Sequence, residues 1–251
     1  MKRILLVLAS FSLLLTSCSL DNYPGPNAKV HGSFLDSANG SLVGTDITNG
    51  NQILVFEQGY SSNPDIKVEE ASSSQTWKIK NTGEYRNDLV FAGKYRVLFQ
   101  NGNFYGSSDQ VITLNEGDNE INFTVTPYLR IKDCSIAKSG NTVTAKFKIE
   151  GGKPGTKINE IRLFGFSDMW VGNYIKYDVE GGTDRISGLK EEANGSKEYT
   201  LTIDLDKNKS YFKYTGKNYY FRVGATAVAD NSLGITGTIR HNYSELVKIA
   251  F

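Results

Sequence analysis

The chain has 251 residues, 28 Lys plus Arg against 27 Asp plus Glu, and a formal net charge of +1. So even a balance leaves no electrostatic footprint for nucleic acid or for an anionic bilayer surface. With only 2 cysteines and 2 histidines, the chain also lacks the residues for a disulfide framework or a zinc centre.

Met1-Lys2-Arg3 opens a short positive segment, and Ile4 to Leu15 then runs apolar with only Ser10 and Ser12 interrupting. That is the pattern of a secretory signal, too short for the ~20 apolar residues of a spanning helix. It closes on Leu15-Thr16-Ser17-Cys18, which resembles the lipobox of bacterial lipoproteins. The resemblance implies that signal peptidase II removes residues 1–17 and that the Cys18 thiol carries a diacylglycerol. Each buried methylene adds ~0.8 kcal/mol to membrane affinity, so several acyl chains anchor durably. Losing Lys2 and Arg3 leaves a side-chain net charge of −1. Residues 18–28, with Pro24-Gly25-Pro26, then form a short lipidated tether. Cys134 is left without a disulfide partner, and its apolar-periodic surroundings predict a small buried residue.

From Lys29 onward the chain reads as β-strands with one buried face. Val97 and Phe99 follow Tyr95 at every second position in Gly93–Phe99. The same period places Ile121, Phe123 and Val125 together, then Val143, Ala145, Phe147 and Ile149, then Leu201, Ile203 and Leu205. Turn residues separate the runs at Ala38-Asn39-Gly40, Asn49-Gly50, Glu116-Gly117-Asp118, Ser139-Gly140-Asn141 and Asn194-Gly195-Ser196. Pro127 suits a strand end or a link, because proline cannot donate to a ladder. The expectation is therefore all-β: two consecutive β-sandwiches, of Ig-like or transthyretin-like type, at residues 29–126 and 127–251. Each holds its own alternating set, so the two halves are expected to fold separately.

The run Val30-His31-Gly32-Ser33-Phe34-Leu35-Asp36, the Asn39-Gly40 turn, Ile53–Phe56, Thr82–Tyr85, Phe91 and Gly93–Val97 resemble carboxypeptidase-regulatory-like and transthyretin-like sandwiches. In that order Gly32 and Gly40 permit a bulge and a tight turn. Thr142–Ala145, Ile161–Phe164, Tyr220–Ala225 and Tyr243–Ile249 resemble the C-terminal domain of a Bacteroidota lipoprotein family of unknown function. Such proteins belong with starch-utilisation-type receptor and transporter pairs, so the resemblance implies an accessory role in glycan capture at the outer membrane. Fold-level likeness alone does not carry function.

No residue pattern supplies a catalytic centre. There is no Gly-x-Ser-x-Gly elbow and no Gly-rich phosphate loop, and no cofactor is implied. His31 and His241 have no second ligand at metal spacing and read as structural or surface residues. Asp204 and Asp206 share a polar strand face with Thr200 and Thr202, which suits solvent better than a glycosidase pair facing across a cleft. Aromatic side chains make up 12% of the chain, and most fall at inward positions; Trp77 alternates with Ile79 and belongs in the core. Trp170 differs, because the stretch Ser167–Tyr174 does not alternate. Trp170, Tyr174 and Tyr177, with Asp168 and Asn173, are the candidate ligand contacts: ring faces stack on sugars while the polar groups bond hydroxyls. The same Trp in a lid over the sandwich end is the competing reading. Asp36-Ser37-Ala38 matches an O-glycosylation pattern of exported Bacteroidota proteins, making Ser37 a candidate modification site.

The resulting expectation is a non-catalytic glycan-binding accessory of a polysaccharide uptake system, lipid-anchored in the outer membrane at the cell surface. Two rivals are a docking partner of an outer-membrane receptor or transporter and a surface fibre subunit built by strand donation.

Overall fold

The computed structural model describes residues 24–59, 67–70, 74–106 and 109–251, and apart from one 3-10 turn at Val68–Glu70 its regular elements are all β-strands. The leader, Cys18 and the start of the tether lie outside the described residues.

The first strands are β1 (Ala28–Asp36), β2 (Gln52–Glu57), β3 (Ser74–Lys78) and β4 (Glu84–Val90). They are followed by β5 (Gly93–Gln100), β6 (Gln110–Leu114), β7 (Gly117–Glu120) and β8 (Phe123–Val125). One sheet has the order β4-β1-β7, with β8 also paired to β1; the other has the order β3-β2-β5-β6. Val30 and Phe34 from the first sheet and Ile53, Val55 and Val97 from the second are all 0% exposed in one shared core. Trp77 lies in this core against Tyr85, where its alternation with Ile79 places it. Gly32 is needed for a reason other than a bulge. β1 pairs in parallel with β7 through His31 and with β8 from Phe34, and the chain between them swings its Ile121 carbonyl over Gly32. A Cβ on Gly32 would sit 1.8 Å from that oxygen.

The second set comprises β9 (Leu129–Ser139), β10 (Thr142–Gly151), β11 (Lys157–Phe166), β12 (Gly182–Thr183) and β13 (Arg185–Glu192). It ends with β14 (Asn194–Asp204), β15 (Asn218–Ala227), β16 (Asn242–Tyr243) and β17 (Val247–Ala250). The sheets run β12-β14-β10-β9 and β13-β11-β15-β16, with β17 also on β15. Val143, Ala145, Phe147 and Ile149 face Leu201 and Ile203 across one sheet, each 1% exposed or less. Burying each large side chain of this kind stabilises by about 1.5–3 kcal/mol. Asn194-Gly195-Ser196 is not the turn its composition predicts. β13 pairs with β11 in one sheet and β14 with β10 in the other, so the chain crosses between sheets there, with Gly195 at φ 76°. Cys134 is half-buried against the core, and burial pushes its thiol up from the ordinary range.

The two sandwiches meet through buried polar groups instead of a free linker. Asn103 is 0% exposed; its side-chain amide donates to the Gly44 and His241 carbonyls, each at 2.8 Å, and accepts from Asn51. Asn242 donates to the Asn103 carbonyl at 2.9 Å and accepts from the Leu129 amide at 3.0 Å. Arg222, on the outward face of β15, is only 2% exposed and donates to the Asn81 and Thr45 carbonyls of the first sandwich. Tyr105, from the stretch between β5 and β6, packs into the second core, edge-on to Tyr128 at 4.9 Å. The expected independence of the halves therefore does not fit the seam: each supplies buried groups that the other must satisfy.

Candidate functional site

A bulge in β11 borders a polar cleft. Ile158 pairs with Ala227 and Glu160 with Thr226, so Asn159 is an extra residue on that strand. The extra residue lets Ile158 and Ile161 both point into the core, each 0% exposed, while Glu160 turns to the other side. Two partners meet it there. The Arg185 guanidinium, from β13, donates to Glu160 Oε2 through Nε at 2.7 Å and through Nη2. His241 Nε2, just before β16, lies 3.4 Å from Oε1. Burial alone would push the Glu160 carboxyl up, but the His241 and Arg185 bonds outweigh it and hold it below its ordinary range. Glu160 is thus a fixed, ionised acceptor.

Around this triad Asn159, Asn173, Thr226 and Ile239 complete a cleft of about 500 Å³. Tyr174 follows Asn173 and is 42% exposed, with its hydroxyl accepting from Arg240 Nη1 and the guanidinium 5.6 Å from its ring centroid. The cleft therefore offers amides, an imidazole, a guanidinium and one carboxylate. Among the described residues lining it there is a single carboxylate, so no acid–base pair faces across it. No group of three metal-ligating side chains converges among the described residues.

The five loop residues singled out from the sequence do not gather at one point. Asn173 lines the cleft, and its backbone amide donates to Asp46 Oδ1 at 2.8 Å and to the Tyr243 hydroxyl at 3.0 Å. Tyr174 does not line the cleft; its hydroxyl accepts from Arg240, next to His241. Tyr177 instead stacks on Tyr211 at 4.7 Å and meets Phe212 edge-on, closing the second core. Asp168 is exposed, and half-buried Trp170 lines neither this cleft nor the cavity at the seam between the sandwiches. The loop also docks: Met169 presents its carbonyl to the Asn81 side-chain amide at 2.6 Å. Ser37 is exposed at the end of β1 and shares a 2.9 Å hydrogen bond with Thr126. His31 lies at the surface, 3.2 Å from Asp118. Asp206 is held by Lys209 and Asn141, while Asp204 caps the turn after β14, so the two have separate structural tasks. Glu160 and Arg185 went unmarked in the sequence reading, and His241 was read there as a structural or surface residue; the available signal was a charged residue set among the apolar positions of β11.

Two family models cover most of the chain. One, the N-terminal domain of a protein of unknown function, DUF3823, matches residues 28–126; the other, a domain of unknown function, DUF3823_C, matches residues 129–248. The chain belongs to the DUF3823 family. It is 47% identical to a solved Bacteroides uniformis protein provisionally described as carbohydrate-binding, over 90% of this chain and 100% of that one, with a TM-score of 0.80. DUF3823 proteins from Parabacteroides merdae and Bacteroides ovatus share the fold at TM-scores of 0.68 and 0.67, with 22% and 20% identity. The first match covers 90% of this chain and 100% of that one, the second 89% and 98%. No curated protein matches the chain.

Proposed function

We propose that this DUF3823 protein is a non-catalytic carbohydrate-binding module, exported, anchored in the outer membrane through lipidated Cys18, and serving a polysaccharide-uptake system. The observation that carries the reading is the cleft of Asn159, Glu160, Asn173, Arg185 and His241, near which the exposed Tyr174 bonds Arg240, the chain neighbour of His241. Sugar hydroxyls both donate and accept, and this set supplies both, held in place by mutual bonds before any ligand arrives. The description of the Bacteroides uniformis protein at 47% identity points the same way. The anchor rests on the Leu15-Thr16-Ser17-Cys18 motif that ends the apolar leader.

The protein starting at Ser19 is expected to retain oligosaccharides on a glycan array. Tyr174→Ala should weaken that binding about 5–30-fold, the loss of ~1–2 kcal/mol of ring stacking, with an unchanged melting temperature. Wild-type protein that retains no glycan, or a Tyr174→Ala variant that binds as well as wild type, would overturn the assignment to this cleft.

A further inference from the structure

Two exposed apolar side chains mark the end of the first sandwich where the chain enters it. Leu89 and Phe91 flank Val90, and the alternation that buries Val90 turns both of them outward, 74% and 42% exposed. No other large apolar side chain among the described residues is as exposed as Leu89. Val90 pairs with Ala28, the first residue of β1, and Gly117 pairs with Ala28 from the other side. Asn27, one position earlier, is pinned between the same two turns. Its side-chain carbonyl accepts from the Ala92 amide at 2.8 Å, and its side-chain amide donates to Glu116 Oε1 at 3.0 Å. The chain therefore enters the fold beside Leu89 and Phe91. β1 then runs about 30 Å away from them, at ~3.4 Å per residue, to Asp36 and its bond to the second sandwich.

We propose that Leu89 and Phe91 rest in the surface of the bilayer that holds the Cys18 acyl chains, so that this end of the first sandwich faces the lipid. The inference rests on the anchor proposed above and adds a second, non-covalent contact to it. Cys18 precedes Ala28 by ten residues, a reach of at most ~35 Å even fully extended. Of the two ends of β1, the tether brings this one nearest the lipid. Leucine and phenylalanine suit the boundary between headgroups and acyl chains, where apolar side chains leave water while their polar neighbours stay wet. Two side chains alone bind a membrane weakly. A contact made by a tethered molecule is intramolecular, however, at an effective concentration in the ~mM range. The exposed charges at this end are of both signs, Lys29 and Lys94 with Asp88 and Glu116, so apolar contact and not lipid charge selects the surface. In this pose the second sandwich, with the Glu160 cleft, stands on the far side of the first from the membrane.

Tryptophan placed at the contact tests it, with the acylated chain in vesicles of phosphatidylcholine brominated on its acyl chains; bromine quenches only a ring close to it. Phe91→Trp should lose more fluorescence in those vesicles than wild type, whose Trp77 is buried and whose Trp170 lies in the second sandwich. Leu42→Trp, at the seam end of β1, should lose no more than wild type. Adding Leu89→Asp to Phe91→Trp should abolish the excess, because a carboxylate at the contact stays in water. Leu89 is mostly exposed, so an unchanged melting curve is expected for that variant and confirms that it folds. No excess at position 91, an equal excess at position 42, or an excess that survives Leu89→Asp would overturn the proposal. Flotation with the vesicles separates it from the anchor. Wild type that floats no better than Cys18→Ala defeats both, whereas protein that floats without excess quenching at position 91 defeats this contact alone.

Discussion

Asp36, the last residue of β1, and Arg130, near the start of β9, close a two-pronged ion pair: Arg130 Nε lies 2.6 Å from Oδ2 and Nη2 lies 2.8 Å from Oδ1. Their side chains are 3% and 9% exposed, so this pair between the sandwiches is screened little by solvent. Removing one partner from a buried pair leaves an uncompensated charge, at a cost of about 3–5 kcal/mol. Asp36→Ala should destabilise by about that much, and Arg130→Met similarly. The double variant Asp36→Leu with Arg130→Met should recover most of the loss, because apolar replacement of both partners is often neutral. Urea unfolding of the four proteins measures it; single variants as stable as wild type would remove the pair from any account of the seam.

The same pair sets an acid limit. Burial would raise the Asp36 carboxyl, but the Arg130 bonds and charge outweigh it and hold it below its ordinary 3.8. Glu160 is likewise held below 4.5. A depressed folded value means that the unfolded chain binds protons first as pH falls. The stabilisation is thus complete above the unfolded values and is lost as pH drops through the folded ones. Stability should be flat between roughly pH 7 and 5 and fall below about pH 4, with a shallower fall in Asp36→Ala. Urea midpoints at those acidities measure it, and a wild-type midpoint equal at pH 5 and pH 3 would contradict the linkage.

Cutting the chain at Pro127 should expose how much each sandwich owes the other. A fragment of residues 127–251 loses Tyr105 from its core and both acceptors of Arg222. Two stranded acceptors or donors at about 1–3 kcal/mol each, with a missing ring, are enough to unfold a marginal domain. That fragment should show poorly dispersed amide spectra alone and sharpen when residues 24–126 are added. Native-like spectra from the isolated fragment would restore the independence that the alternation suggests.

Alternation exposed the strands because one buried face is a local property: Val143 to Ile149 and Leu201 to Leu205 declare their core positions without their partners. The same logic hides Arg222. Its outward position on β15 reads as a solvated cation, and only the arrival of Thr45 and Asn81, more than 140 positions earlier in the chain, buries it. The Glu160 cleft was illegible for a related reason. Its carboxylate is aimed by one extra residue in β11, and its partners lie 25 and 81 positions away. Gly32 shows a third kind of gap. The sequence marks a special glycine, but its reason, an approaching Ile121 carbonyl, belongs to a strand crossing that no spacing encodes.

β1 runs from Ala28 to the seam at Asp36, with β7 and β8 parallel to it on one side and β4 antiparallel on the other. A tension applied to the chain ahead of Ala28 would pull β1 along its own length. Its ladder bonds would then be loaded in shear, all together, instead of parting one by one as in a peeled hairpin. At the far end the load passes through Asp36 to Arg130 and into the second sandwich. A pull on the N-terminal side would thus reach the second sandwich end-on, through paired strands and one buried ion pair.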